Sequence, residues 1–179
     1  MNHNDHVRLI QDGIHRPDGV WADLGSGRGA FTLALADLLT PSAQIYSIDL
    51  DSSALAAQRK AMEAQFPHIT VHYQQADFSK KLALPPLDGI VMANSLHYYK
   101  DKEKVLRHVR TFLKLGGVLL LIEYNVDSGN VWVPYPLSFE TFRGLAPRAG
   151  FSEPRLLATA PSRFLREFYS AVTYREPKD

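Results

Sequence analysis

The chain contains no cysteine. That excludes a disulfide framework, a thiolate metal site and a cysteine nucleophile. Charge of either sign is also nearly absent in the sum: 20 Lys and Arg against 19 Asp and Glu leave +1. This argues against a surface-wide field for nucleic acid or membrane and leaves only local patches open. No stretch approaches the ~18 consecutive apolar residues of a membrane span. The first residues, MNHNDHVRLIQDGIHRPDG, lack the apolar core of a secretory signal. Together these absences predict a cytoplasmic protein. The histidines are not grouped with carboxylates at ligand spacing, so no metal site is predicted. What is present is 179 residues, 45% hydrophobic and 22% charged. That is about one domain's worth, able to bury roughly two-thirds of its unfolded surface, and a single domain over 1–179 is expected.

The most informative stretch is VWADLGSGRGA, from Val20 to Ala30. Val20, Trp21, Ala22 and Leu24 suit a buried strand, and Gly25, Gly27 and Gly29 admit positive φ while removing the Cβ atoms that would hold a ligand away. Phe31, Leu35, Leu38 and Leu39 then recur at helical spacing, so the glycine loop and the positive end of a helix face one crevice. The same glycines also fit the dinucleotide pattern GxGxxG/A. Asp23 separates the two readings: a pyrophosphate gains nothing from a carboxylate two residues before the first glycine, whereas an ammonium group does. S-adenosylmethionine carries such a group on its methionine end.

Strands and helices alternate along the chain with short connections, the pattern of a parallel sheet covered on both faces. The spacing predicts a short helix over 6–14, strands over 20–24 and 43–48, and a helix over 52–65 introduced by Asp51 and Ser52. A third strand alternates Ile69, Val71 and Tyr73, and GIVMAN reads as a fourth. Val105, Val109 and Phe112 predict a helix over 102–115, stopped by Gly116, and 118–124 reads as a fifth strand. A loop over 125–137 and a helix over 138–149 follow, with strands near 153–158 and 167–174. The PSRF tetrapeptide between the last two is far shorter than the dozen or so residues of a parallel crossover, so they are expected to form an antiparallel hairpin.

With that ending, the chain resembles the class I S-adenosylmethionine-dependent methyltransferases over nearly its whole length, from Val20 to about Tyr174. DLGSGRG is similar to the family's glycine-rich first motif, IYSIDLD to its second, QQADFSKKL to its third, and DGIVMANSLHYY to the segment that closes the pocket. The resemblance implies a Rossmann-like three-layer α/β sandwich, with a seven-stranded, mostly parallel sheet and an antiparallel C-terminal strand. It implies S-adenosylmethionine as donor and S-adenosylhomocysteine as product. Asp23, Gly25, Ser26, Gly27 and Gly29 would seat the methionine end, with Asn94 as a further contact. Asp49, at the end of the second strand, can accept from both ribose hydroxyls. Leu50 would pack on the adenine or in the core, and Asp77 with the Phe78 N–H would meet the adenine edge.

The acceptor side is less legible. His97 can take a proton from a substrate hydroxyl, since imidazole titrates near neutral pH, or it can brace the loop; Tyr98 stands beside it. Tyr124, Trp132 and Tyr135 are candidates for lining the acceptor site, and 1–19 for a short lid helix. No NPPY-type segment is present, which disfavours a nucleic-acid acceptor and makes a small molecule the expected one. A nicotinamide-dependent oxidoreductase and a noncatalytic S-adenosylmethionine-binding module are the competing readings.

Overall fold

The computed structural model describes residues 1–162 and 164–177. Seven strands form one sheet in the order β3-β2-β1-β4-β5-β7-β6. They are β1 (Val20–Leu24), β2 (Gln44–Asp49), β3 (Thr70–Gln75), β4 (Leu87–Ala93), β5 (Leu113–Tyr124), β6 (Arg155–Pro161) and β7 (Glu167–Tyr174). The pairings β1–β2, β1–β4, β2–β3 and β4–β5 are parallel, while β7 runs antiparallel to both β5 and β6. The expected Rossmann-like sheet with a reversed final strand is therefore the observed one, and β6 and β7 pair as the expected antiparallel neighbours.

The inner strands read as continuous apolar runs because both of their faces are covered. Val118, Leu120 and Ile122 of β5 join Trp21 and Val91 in a core beneath α1 (His3–Ile10), α2 (Ala30–Leu38) and α3 (Ser52–Gln65). Leu119 and Leu121 join Ile90 and Met92 in a second core, under α4 (Lys102–Val109) and α5 (Phe139–Leu145). The period-two alternation assigns each strand residue to one core or the other.

Several boundaries differ from expectation. The first helix begins at His3 because Asn2 caps it: its side chain accepts from Asp5 N–H while the Asp5 carboxylate accepts from Asn2 N–H. The fourth helix stops at Val109 and passes through one 3₁₀ turn, Arg110–Phe112, into β5. Two tertiary contacts outweigh helical periodicity there. The buried Arg110 guanidinium donates to Gly150 O (2.7 Å), and Leu113 is drawn into register with Leu87. The sixth strand begins two residues later than expected and runs on to Pro161, which is tolerated because β6 is an edge strand.

Candidate functional site

The crevice lies at the C-terminal ends of β1, β2 and β4, beside the point where strand order reverses, the usual ligand position in open α/β sheets. A cavity of about 500 Å³ opens there. Its lining includes Gly25, Ser26, Gly27, Asp49, Leu50, Asp77, Phe78, Asn94 and Tyr98.

The glycine loop is shaped by two different demands. Gly25 has φ +78°, and a Cβ there would meet Ser95 Cβ at 2.5 Å, so the residue allows the loop to close against the end of β4. Gly27, at φ +52°, would point a Cβ into open space: its bare backbone adjoins the cavity, and a side chain would occupy room a ligand could use. Beneath the loop, the Gln58 Oε1 accepts from both Ser26 Oγ (3.3 Å) and Ser47 Oγ (3.0 Å). Gln58 is fully buried on an otherwise apolar face of α3 with Ala54, Leu55 and Met62. A glutamine at that place in the helical stripe was the available sequence signal, and it was missed.

Asp23 sits below the loop, 1% exposed, with Oδ2 accepting from Thr32 Oγ1 at 2.6 Å and Oδ1 left without a hydrogen-bond partner. Burial pushes its pKa up to about 7, the Asp49 charge adds to the rise, and the Thr32 hydrogen bonds oppose it. Asp49 places Oδ2 2.7 Å from Gly27 N and Oδ1 2.8 Å from Asp51 N, fixing the carboxylate against the loop. Each oxygen retains a second lone pair for an incoming hydroxyl. Asp51, the neighbouring carboxylate, caps α3 instead. Leu50 is 64% exposed on the cavity wall, an apolar side chain that a flat ligand would cover.

On the opposite wall, Ser79 N, Ser79 Oγ and Tyr99 Oη all converge on Asp77 Oδ1. Partial burial works against them, yet these bonds hold the Asp77 carboxyl below the usual range. Among the described residues no donor reaches Oδ2. Phe78 is buried against Tyr99, with ring centroids 5.3 Å apart. Asn94 adopts the left-handed region at φ +52°, and its buried Oδ1 has no partner. A strained backbone carrying an orphaned amide at a cavity wall is a feature expected of a ligand contact. Met1, His6 and Phe31 also line the cavity, placing the start of the first helix over its mouth.

The acceptor-side candidates lie apart from this lining, except for Tyr98. His97 is 2% exposed, its Nδ1 2.7 Å from Glu123 Oε2. Glu123 Oε1 accepts from the Leu96 and His97 amides, so one buried carboxylate holds the 3₁₀ turn Leu96–Tyr98. Tyr124 is half-buried against Phe168, at 4.3 Å between centroids, and burial raises its phenol pKa. Tyr135 N donates to His97 O, while Trp132 stands 74% exposed at the tip of the loop. Among the described residues there is no group of three or more His, Asp or Glu that could hold a metal, and no helix is long and apolar enough to cross a membrane.

Residues 22–119, more than half the chain, match the protein family described as "Methyltransferase domain". The chain belongs to that family. This methyltransferase domain is 31% identical over 135 residues to the ubiquinone/menaquinone biosynthesis C-methyltransferase UbiE of Pasteurella multocida, covering 65% of this chain and 49% of that protein. It thus spans about half the length of the curated relatives it matches. Among solved structures, the YcgJ protein of Bacillus subtilis superposes with a TM-score of 0.80 at 11% identity, covering 98% of this chain and 100% of that one. Human N-acetylserotonin methyltransferase, solved in complex with S-adenosylmethionine, gives 0.70 at 19% identity over 96% of this chain and 52% of that one. At these identities the structural likeness shows the fold alone. The dinucleotide reading of the glycine loop gives way to the methyltransferase family.

Proposed function

We propose that this methyltransferase domain transfers the sulfonium methyl of S-adenosylmethionine to a small-molecule acceptor. The observation that carries the reading is the convergence of Asp49, Asp77 and Asn94, each with hydrogen-bonding capacity left over, on one cavity beside the bare backbone of Gly27. In this reading Asp49 accepts from the ribose hydroxyls, Leu50 covers one adenine face, and Asp77 Oδ2 with Phe78 N–H reads the adenine edge. Asn94 Oδ1, Ser26 and the glycine loop seat the methionine end, with Asp23 supplying negative charge from beneath. The bound donor supplies an already activated methyl group. The chain's own residues therefore have to position the acceptor for in-line displacement and exclude water, rather than generate a strong nucleophile. Tyr98 stands where the cavity meets the acceptor side. His97 serves to hold that tyrosine in place, because its imidazole is enclosed and engaged with Glu123. Residues 1–19 act as a short cover, and 1–179 function as one domain in the cytoplasm, without a metal.

Calorimetric titration tests this reading. S-adenosylmethionine and S-adenosylhomocysteine are expected to bind and NADH to be silent. Asp49→Ala is expected to weaken both adenosyl ligands by about 1.5–3 kcal/mol, the scale of a charge-assisted hydrogen bond. Unchanged affinity in a folded Asp49→Ala protein would remove the ribose assignment. Tight binding without turnover of any acceptor would favour the noncatalytic module.

A further inference from the structure

The side chains around the donor cavity are rich in acid. Asp49 and Asp77 line it, and Asp23 lies beneath the glycine loop. A methionine end brings a carboxylate as well as an ammonium, and a carboxylate placed among these acids without donors of its own would lose hydration uncompensated. Among the described residues of the lining, His6 has the only basic side chain.

His6, Leu9 and Ile10 stand at i, i+3 and i+4 on the face of α1 that packs against α2. Leu9 and Ile10 are buried there, whereas His6, one turn earlier, reaches the cavity. Its imidazole is half-buried 5.0 Å from the Phe31 ring, between centroids, and among the described residues neither ring nitrogen has a hydrogen-bond partner. Burial above all lowers its pKa, the Met1 amino group and His3 add to the fall, and Asp5 opposes it. At neutral pH it is therefore an uncharged N–H donor. The capping box of Asn2 and Asp5 and the contact of His3 with Asp37 (3.4 Å) hold this end of α1 against α2.

The first turn of α2 supplies the other half of the arrangement. Its N-cap is Gly29, which has no side-chain oxygen to give the first amides. Thr32 serves Asp23 with hydroxyl and amide, while Ala30 and Phe31 line the cavity. The ammonium and carboxylate of an amino acid branch from one carbon, so their partners must stand side by side. Asp23 at Thr32 and His6 at Phe31 meet consecutive residues of α2.

From this juxtaposition we infer that His6 donates to the carboxylate of the donor's methionine end, beside the Ala30 and Phe31 amides, while Asp23 takes the ammonium. The first helix then reads the donor as well as covering it. The inference rests on the methyltransferase reading and adds a specificity-determining residue to its donor site.

Three ligands separate the two charges: S-adenosylhomocysteine, its decarboxylated form S-adenosyl-3-thiopropylamine, which keeps the ammonium, and 5′-methylthioadenosine, which has neither. In calorimetric titration at one pH the parent is expected to bind S-adenosylhomocysteine about tenfold tighter than the decarboxylated amine, the scale of a hydrogen bond to a charged group. Asp23 meets both ammonium groups alike and drops out of that ratio. His6→Leu, an apolar residue on an apolar stripe, is expected to weaken S-adenosylhomocysteine about tenfold and to leave the other two ligands within about twofold. His6→Gln, which keeps an N–H donor, should fall between the parent and His6→Leu. A parent that binds the amine as tightly as S-adenosylhomocysteine overturns the inference. So does a His6→Leu protein that loses all three ligands equally, or one that keeps the full preference for the carboxylate. Failure of all three to bind the parent would instead overturn the methyltransferase reading.

Discussion

S-adenosylmethionine is expected to bind more tightly as pH rises toward neutrality, and Asp23→Asn to abolish both the rise and most of the binding. Asp23 is enclosed, and desolvation above all places its pKa at about 7. Below that value the side chain is neutral, so an arriving ammonium can be paired only after a proton leaves. Affinity should therefore improve by about tenfold per pH unit up to the pKa and level off above it. Titrations in buffers of different ionisation enthalpy should show about one proton released per donor bound at pH near 6, and little at pH near 8. A flat affinity with no proton release would sink the assignment.

The same shift sets a stability cost. An unfolded aspartate ionises near pH 3.9, whereas folded Asp23 holds its proton to about 7. Between those values the unfolded chain binds fewer protons than the folded one, so stability falls as pH rises. The loss saturates above the folded pKa, at up to roughly 4 kcal/mol. Asp23→Asn keeps an oxygen for Thr32 and removes the titration. In urea unfolding the donor-free variant should overtake the parent at pH near 8 while trailing or matching it near pH 4. A parallel offset at both pH values would show that Asp23 does not titrate as described. A buried acid that weakens the fold and pairs with the donor's ammonium, as we propose for Asp23, is a trade of stability for function.

The second large effect is expected at Glu123. This carboxylate has no solvent exposure and accepts from Leu96 N (3.0 Å), His97 N (3.1 Å) and the His97 ring (2.7 Å). Glu123→Ala leaves two amides and an imidazole unpaired in the interior, a loss of about 3–5 kcal/mol in unfolding free energy. Glu123→Gln keeps an oxygen for the two amides and should lose less than half of that. Because the turn carries Tyr98 and receives Tyr135 N, both variants should disturb acceptor affinity more than donor affinity. An alanine variant as stable as the parent would show that the carboxylate does not hold the turn.

Much of the sheet was legible because its strands are buried on both faces, so their apolar runs and the turns between them are local signals. The reversed seventh strand was legible from the shortness of one tetrapeptide. The end of α4 was not: Val105, Val109 and Phe112 keep helical spacing, but Arg110 is captured by a carbonyl 40 residues away, a contact no local window contains. Similarly, Asp49, Asp77 and Asn94 could be picked out because strand ends bring them to one crevice. The partnership of His97 with Glu123, 26 residues apart, required β4 and β5 to be neighbours. Gln58 was overlooked for a related reason: it lies on a helix whose pattern reads as packing, and its hydrogen bonds show only once Ser26 and Ser47 are brought beside it.

The strand order carries one more consequence, for how the molecule is made. β7 lies between β5 and the edge strand β6, so one side of the sheet is completed by the last of its seven strands in chain order. Until residues 167–174 have emerged from the ribosome, β5 presents an open edge made of some of the most apolar sequence in the chain. The nascent protein thus holds a ready template for pairing with a neighbour at the moment its donor cavity is otherwise assembled. Chaperone dependence should accordingly be concentrated in the interval before residues 167–174 are free to pair with β5, and a chain cut before Glu167 should be recovered mainly as aggregate.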